Sequence, residues 1–585
     1  MVHISKATGL KFRSLPFDRN NIADLRFGII FDAGSTGSRV HIYRFRMVNS
    51  VPVLEDEIFV EVKPGLSAYV PEGVGADSST RDVGQSVKGS LPSTGPDAAA
   101  ESLRKLMDLC VEEIPRELHA RTPISLRATA GLRLLGDKVA ESILGSIRTL
   151  FATYPFPHDP RTDVEVMGGS EEGVFAWITV NYLTRHLSDS PIPPNSNERD
   201  HPRTSAVLDL GGASTQIVFE PATSSLDALP KEDFDALYTL PYGARQYKLF
   251  ETSYLGYGLM EARRRTKLAL HSHPLMEIRP LDSLAPSADG SLYHPCLADN
   301  HSEQFLIDAH GQTVTLRGHA AGYASCGDLV RTLFPKHPRS PCQRSSCSFG
   351  GHFALPLAQH AFGDKTKTKS VTPDHPIPDA HAALTDGQRG KIYAFSYFYD
   401  RTLEIFELEE ESDSEPDGTV LRLSRLHELA DTICSFSMRS TNLRTEREIA
   451  AERMAAWQRH MERLRTRGCK IAKVRNSETN ELEEVRLEET TSEATGDDKD
   501  DGECMVEDTP NWSTQSKRSK ISSTFVSLLS ENPYLCLDLT YAYTLLHYGY
   551  DLPDSTELHI MKRIDKKEVG WCLGAMLSQM GQRGW

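Results

Sequence analysis

The chain opens on a polar stretch, and its first apolar run begins at Phe27. FGIIFD and VHIYRF are β-branched and aromatic runs separated by the small-residue turn AGSTGSR, a pattern that predicts a strand hairpin. Leu103, Leu106, Leu109 and Cys110 fall at helical spacing and predict a helix around Pro96–Glu113. A short strand at Ile124–Arg127, the turn ATAG and a helical segment to Tyr154 follow. Val164–Met167 reads as a strand running into GGSEEG. Glu172–Leu187 reads as a helix whose acidic first turn suits the positive end of its dipole. Ala206–Leu210 is a second buried strand, followed by GGAST and the strand QIVFE. Strands alternating with helices over both halves predict an α/β architecture with central sheets.

The pattern changes between about Glu407 and Glu531. ELEEESDSEPDG is an acidic patch, and Ala450, Met454, Trp457, Met461 and Leu464 then make one narrow apolar stripe on a helix. The polar, acidic stretch 476–511, which contains DDKDDGE, reads as disordered. Two readings of this block stand: a partner-docking or coiled-coil helix through residues 449–465, or a solvated insertion in a surface loop, which chain entropy tolerates cheaply. Periodic sequence returns at Tyr534, and the chain closes on the helical GWCLGAML.

Composition narrows the classes. The 585 residues carry a net charge of −16, so no basic excess exists for general nucleic-acid binding. No apolar run is long enough to span a bilayer, and the first 24 residues lack the apolar core of an export signal. Ten cysteines show no zinc spacing; close pairs at Cys342/Cys347 and Cys296/Cys326 fit loop-stapling disulfides, with connectivity left open. Asn300-His301-Ser302 and Asn511-Trp512-Ser513 match the glycosylation acceptor pattern.

An internal duplication carries the chemistry. Asp32-Ala33-Gly34-Ser35-Thr36 ends one strand and opens a turn, and Asp209-Leu210-Gly211-Gly212-Ala213-Ser214-Thr215 does the same later. Gly and Ser let a backbone approach an anion, and successive amides can form a nest for it. An Asp at each strand end repels phosphate and suits a divalent cation instead. Two such turns facing each other would clamp a polyphosphate. Thr129, in ATAG, could place a hydroxyl near a phosphate or water, or simply cap a helix. Glu171 or Glu172 at the head of the next helix could deprotonate a water, or simply favour the helix start.

These residues resemble a known family. DAGSTGSR, ATAGLRLL, GSEEGVFAWITVNYL and DLGGASTQIVF are similar to the first four motifs of the apyrases, the nucleoside di- and triphosphate diphosphohydrolases. SYLGYGLMEAR, YAFSYFYDRT, LDLTYAYTLLHYGYDLP and GWCLGAML resemble the fungal Golgi guanosine-diphosphatase branch. The resemblance implies an α/β fold of two RNase-H-like, actin-like lobes with the nucleotide between them, plus a long charged insertion. The expected division is a polar arm at 1–24, lobe I at 25–168 with 555–585, lobe II at 169–436 with 532–554, and an insertion at 437–531. It implies Glu172 as the general base, with Thr129, Ser214 and Gln216 positioning the water. Gly34, Ser35, Thr36, Gly37 and Ser38 would bind phosphate, as would Gly211, Gly212, Ala213 and Ser214. Asp32 and Asp209 would hold Ca²⁺ or Mg²⁺ through water, with Mn²⁺ a further option. Tyr397, Tyr399, Asp400 and Trp571 are the candidates for holding the nucleobase. Disulfides Cys296–Cys326, Cys342–Cys347 and Cys434–Cys536 are implied too. The branch works in the Golgi, on GDP and UDP, from a membrane anchor; none is visible here, so either the true start lies upstream or this form is soluble. The competing readings are a broad apyrase that also takes triphosphates, a non-hydrolysing actin-like nucleotide binder, and an adaptor.

Overall fold

The computed structural model describes residues 23–48, 51–70, 95–187, 204–272 except 228 and 244, and 290–336 except 300, 308–311 and 320. It also describes 347–357 except 356, 391–406, 417–439, 471–475, 482–486, 503–506, 528–529 and 531–582. The 1–22 part of the arm, Asn300, Cys342, Asn511 and the stripe at 449–465 lie outside them.

The apolar runs at the start become a five-stranded sheet. Its strands are β1 (Leu25–Ala33), β2 (Ser38–Val48), β3 (Val51–Val62), β4 (Ile124–Ala128) and β5 (Val164–Val166), in the order β3-β2-β1-β4-β5. The first three pair antiparallel, and β4 and β5 add parallel to β1. The second half repeats this. β6 (Ala206–Leu210), β7 (Ser214–Phe219), β8 (Tyr238–Tyr242) and β9 (Arg245–Leu255) are followed by a small sheet of β10 (Leu292–His294), β11 (Ser302–Leu306) and β12 (Thr313–Gly318). Next come β13 (Ile392–Ser396) and β14 (Gly418–Arg422), then β15 (Ile471–Arg475), β16 (Leu482–Arg486), β17 (Glu503–Val506) and β18 (Glu557–Met561), with a short hairpin of β19 (Arg563–Ile564) and β20 (Lys567–Glu568) last. The large second sheet runs β14-β18-β13-β6-β7-β9-β8. Within it β9-β7-β6-β13-β18 reproduces the order and the pairing directions of the first sheet. The duplication in sequence is thus a duplication of a whole sheet topology.

Packing between the sheets explains how the two copies join. Each fifth strand feeds a helix, Gly169–Leu183 after β5 and Cys572–Gln582 after β18. These helices lie against each other in one apolar cluster between the sheets. Trp177, Val180 and Met576 are buried there with Ile30 and Phe45 of the first sheet and Val207 and Phe395 of the second. The helices cross closely: a Cβ at Gly574 would stand 2.0 Å from the Phe175 carbonyl oxygen, and the Gly574 amide donates to Thr179 Oγ1 at 2.8 Å. The Gly169–Leu183 helix is apolar nearly all round, which is the pattern of a helix buried on every side. Each lobe has its own further core on the outer face of its sheet.

Two expectations are corrected. Residues 557–561, expected with lobe I, form β18 in the lobe II sheet, because their alternating apolar positions pair with both β13 and β14. The stretch 476–511, expected to be disordered, contains β16 and β17, which pair with β15. Disulfides join Cys296 to Cys326 and Cys434 to Cys536, and Cys347 is also disulfide-bonded. Among the described residues no helix is long and apolar enough to cross a membrane.

A buried ion cluster holds lobe II behind the cleft. Asp538, fully buried in the Leu535–Thr544 helix, takes both Nε (2.8 Å) and Nη2 of Arg263, and Arg401 Nε lies 3.2 Å away. Replacing Asp538 by Ala leaves two guanidinium groups without their shared counter-charge. The expected loss is roughly 3–5 kcal/mol in chemical denaturation; a variant within 1 kcal/mol of the parent, on the order of a surface change, would show the cluster to be neutral.

Candidate active site

The site is built at the ends of equivalent strands. β1 ends at Asp32-Ala33 and β6 at Asp209-Leu210, and each is followed by a small-residue loop. Ser35 wedges the first loop against its neighbours. A Cβ at Gly131 would stand 2.7 Å from Ser35 Cα, and one at Gly212 would stand 2.3 Å from Ser35 Oγ. Glycine at both positions is therefore what lets the ATAG turn and the second loop close on the first. The second loop is pinned from behind by the Leu259–Ser272 helix, whose Leu259 and Met260 amides donate to the carbonyls of Gly211 and Gly212 at 2.9 Å each. Thr215 Oγ1 donates to the Asp209 carbonyl at 2.7 Å and lies 3.1 Å from the Tyr550 hydroxyl.

The amides of Gly34, Ser35, Thr36, Gly37, Gly212 and Ala213 find no backbone acceptor among the described residues. Two runs of such donors facing one gap form an anion nest. Ser38 Oγ, at the end of the first loop, is likewise buried with no partner among the described residues. Gly211 is different, because its amide donates to the Ser214 carbonyl at 3.0 Å and closes the second loop.

Both acids have one oxygen without a partner. Arg39 Nη1 donates to Asp32 Oδ2 at 3.0 Å, while Asp32 Oδ1 is buried and unpaired. Asp209 Oδ1 is buried and unpaired as well. Burial pushes the Asp209 carboxyl up to about 7; a hydrogen bond from Ser396 and the Arg39 charge oppose that, and the Asp32 charge adds to it. Two unpaired carboxylate oxygens that repel one another are suited to a hard divalent cation, so these residues fit one.

Glu172 sits at the first turn of the central helix, 7% exposed. Gly173 sets its height: a Cβ there would stand 2.8 Å from Val218 Cγ2, so the helix lies directly on β7. Glu172 Oε2 accepts from Arg133 Nη2 at 2.6 Å. Burial pushes the Glu172 carboxyl up to about 8; Arg133 pulls it down, and Asp209 and Asp32 push it further up. Glu171, the rival base, is exposed and accepts from the Gly168 amide at 3.2 Å, so it caps the helix. Thr129 occupies the N-cap position of the Ala130–Arg133 turn, but its hydroxyl makes no capping bond. Gln216 Nε2 donates to Ser214 Oγ at 2.8 Å and to Ser253 Oγ at 3.1 Å, leaving Gln216 Oε1 buried and unpaired. Glu172, Thr129, Ser214 and Gln216 are all buried around the gap between the two loops.

The base candidates separate. Tyr399 is 3% exposed inside the lobe II core, and Trp571 is 5% exposed in the cluster between the sheets. Both rings are packed in core clusters, with Lys562 Nζ 5.8 Å from the Tyr399 ring centre. Tyr397 is half-buried at the head of its helix, with the Arg401 guanidinium 5.3 Å from its ring centre. Asp400 reaches solvent, yet surrounding protein raises its carboxyl against the pull of Arg401, Lys562 and Arg39. Three contributors went unread in the sequence: Arg39, Arg133 and Ser253. Each lies inside a quoted motif, but its partner is supplied by a different segment or by the turn of a hairpin.

The GDA1/CD39 (nucleoside phosphatase) family model matches residues 19–94, 90–370 and 503–585. The chain belongs to this family. Similar proteins include the guanosine-diphosphatase of Schizosaccharomyces pombe, 31% identical over 568 residues, covering 96% of this chain and 75% of that protein. The guanosine-diphosphatase of Saccharomyces cerevisiae is 30% identical over 575 residues, covering 96% and 81%. The human nucleoside diphosphate phosphatase ENTPD5 is 26% identical over 559 residues, covering 95% and 88%. Among solved structures, a nucleoside triphosphate hydrolase from Neospora caninum aligns with a TM-score of 0.47 at 15% identity, covering 96% of this chain and 93% of that one. Activity in the family depends on a divalent cation.

The Arg133–Glu172 pair gives a pH prediction. If Glu172 works as a carboxylate, kcat/KM rises with pH as its proton leaves. Arg133→Gln removes the charge that lowers the Glu172 pKa, so the rise should move to higher pH. A profile that stays put, or moves to lower pH, would show that Arg133 does not set the protonation of Glu172.

Proposed function

We propose that this chain hydrolyses nucleoside diphosphates, GDP and UDP, to the monophosphate and phosphate. The observation that carries the reading is a buried carboxylate, Glu172, standing over two facing loops of unpaired amides, between two acids with unpaired oxygens. The guanosine-diphosphatases among the relatives support the diphosphate choice.

The amides of the two loops hold the phosphates, and Ser214, Gln216 and Thr129 hold a water in line with the terminal phosphorus. Glu172 as a carboxylate takes that water's proton. The water oxygen bonds to phosphorus as the bond to the bridging oxygen breaks, and the nucleoside monophosphate leaves. Gln216 Oε1, unpaired here, is an acceptor for the water's other hydrogen. Asp32 and Asp209 would hold Ca²⁺ or Mg²⁺, with Mn²⁺ a further option, directly or through water. Bound there, the cation would neutralise phosphate charge. Tyr397 and Asp400 contact the base, and Asp400 accepts from guanine N1–H and its amine together. The setting proposed is the Golgi lumen, where the reaction removes the nucleoside diphosphate that sugar transfer leaves behind.

The decisive assay is phosphate release from GDP, UDP, ADP, GTP and ATP with Ca²⁺, Mg²⁺ or Mn²⁺. GDP and UDP should lead, and Glu172→Gln should lower kcat by about 10²–10⁴-fold, the usual worth of a general base. Triphosphates turning over as fast as diphosphates would identify a broad apyrase instead. No release from any nucleotide would identify a binder. Asp400→Ala should lose most of the preference for GDP over ADP; an unchanged ratio would remove Asp400 from base recognition.

A further inference from the structure

The fourth strand of each lobe runs straight into a helix beside the Asp of that lobe. In lobe I the residue at this junction is Thr129, after β4; in lobe II it is Ser396, at the end of β13. Ser396 is paired in register with Leu210, directly after Asp209. Unlike Thr129, which is extended, Ser396 has a φ of 60°. That left-handed conformation is unfavourable for any residue with a Cβ, and such outliers cluster where geometry serves a site. Ser396 is solvent-exposed beside the buried Asp209, so its position is not dictated by packing into the core.

The Ser396 side chain hydrogen-bonds the Asp209 carboxylate. Asp209 Oδ1 is buried with no partner among the described residues, so that oxygen is not the one Ser396 holds. Asp32 shows the same division of labour: Oδ2 takes Arg39, and Oδ1 is free. One oxygen of each acid is therefore held and the other is left bare. Lobe I uses a guanidinium for the holding and lobe II uses a hydroxyl, so the group that holds Asp209 brings no charge of its own.

We propose that Ser396 is a positioning residue for the divalent cation: its strained hydroxyl orients Asp209 so that Oδ1 faces the cation. This rests on the reading of Asp32 and Asp209 as the cation-holding pair. It acts through Asp209.

The test measures Mn²⁺ binding to the nucleotide-free protein by electron paramagnetic resonance, without turnover. Ser396→Ala removes the hydroxyl and keeps the strain; Ser396→Gly removes both. Both variants should bind Mn²⁺ about 10-fold more weakly, as loss of a ligand's orienting partner usually does, and saturating Mn²⁺ should restore their phosphate release. Asp209→Asn is the reference for loss of the site. Parental affinity in Ser396→Ala, with binding lost in Asp209→Asn, would overturn the Ser396 role and leave the site intact. Parental affinity in Ser396→Gly alone would assign the effect to backbone strain and overturn it too. Parental affinity in Asp209→Asn would overturn the cation reading and this inference together.

Discussion

Two buried carboxylates with like charge, each missing one partner, are the constraint around which the rest is arranged. Asp32 and Asp209 stand at the ends of equivalent central strands, and the Asp32 charge adds to the burial that raises the Asp209 carboxyl. Burying such a pair bare is costly, because neither water nor a counter-ion reaches the free oxygens. A divalent cation held between them, as proposed, would relieve that cost. The surrounding loops would then have a charge to work against, with their amides available to the anion that such a cation attracts.

The duplicated sheet turns this constraint into a cleft. Two copies of one topology place two acids and two loops symmetrically, but chemistry needs one base, which symmetry cannot supply. The asymmetry comes from the central helices. The helix that follows β5, Gly169–Leu183, packs on the lobe II sheet and brings Glu172 to the second loop. The matching helix after β18, Cys572–Gln582, crosses the other way and is preceded by Trp571, which is apolar and buried. One crossing helix thus carries the carboxylate proposed as the base, and both contribute to the core that the lobes share.

Much of this was legible in the chain because its signals are local. The repeated strand–Asp–glycine turn is a pattern of adjacent residues, and so is GSEEG at a helix start. Glu172 and Glu171 were adjacent alternatives, and the Gly168 amide separates them by engaging Glu171 as a cap. What was not legible depends on distant segments. Arg133 meets Glu172 from another motif, and Ser253 meets Gln216 from another strand. Tyr399 and Trp571 carry the residue type of a base clamp, but burial is a tertiary property and here it claims both. β18 sits in the other lobe's sheet because its pairing partners, β13 and β14, lie more than a hundred residues earlier.

The most direct measurement is an anomalous difference map from crystals grown with Mn²⁺ and a non-hydrolysable nucleoside diphosphate. One peak in the gap between Asp32 and Asp209, with the phosphates against the two loops, is the expected result. A map with no peak there, or with the metal held by groups outside that gap, would contradict the central claim that the paired acids organise the site.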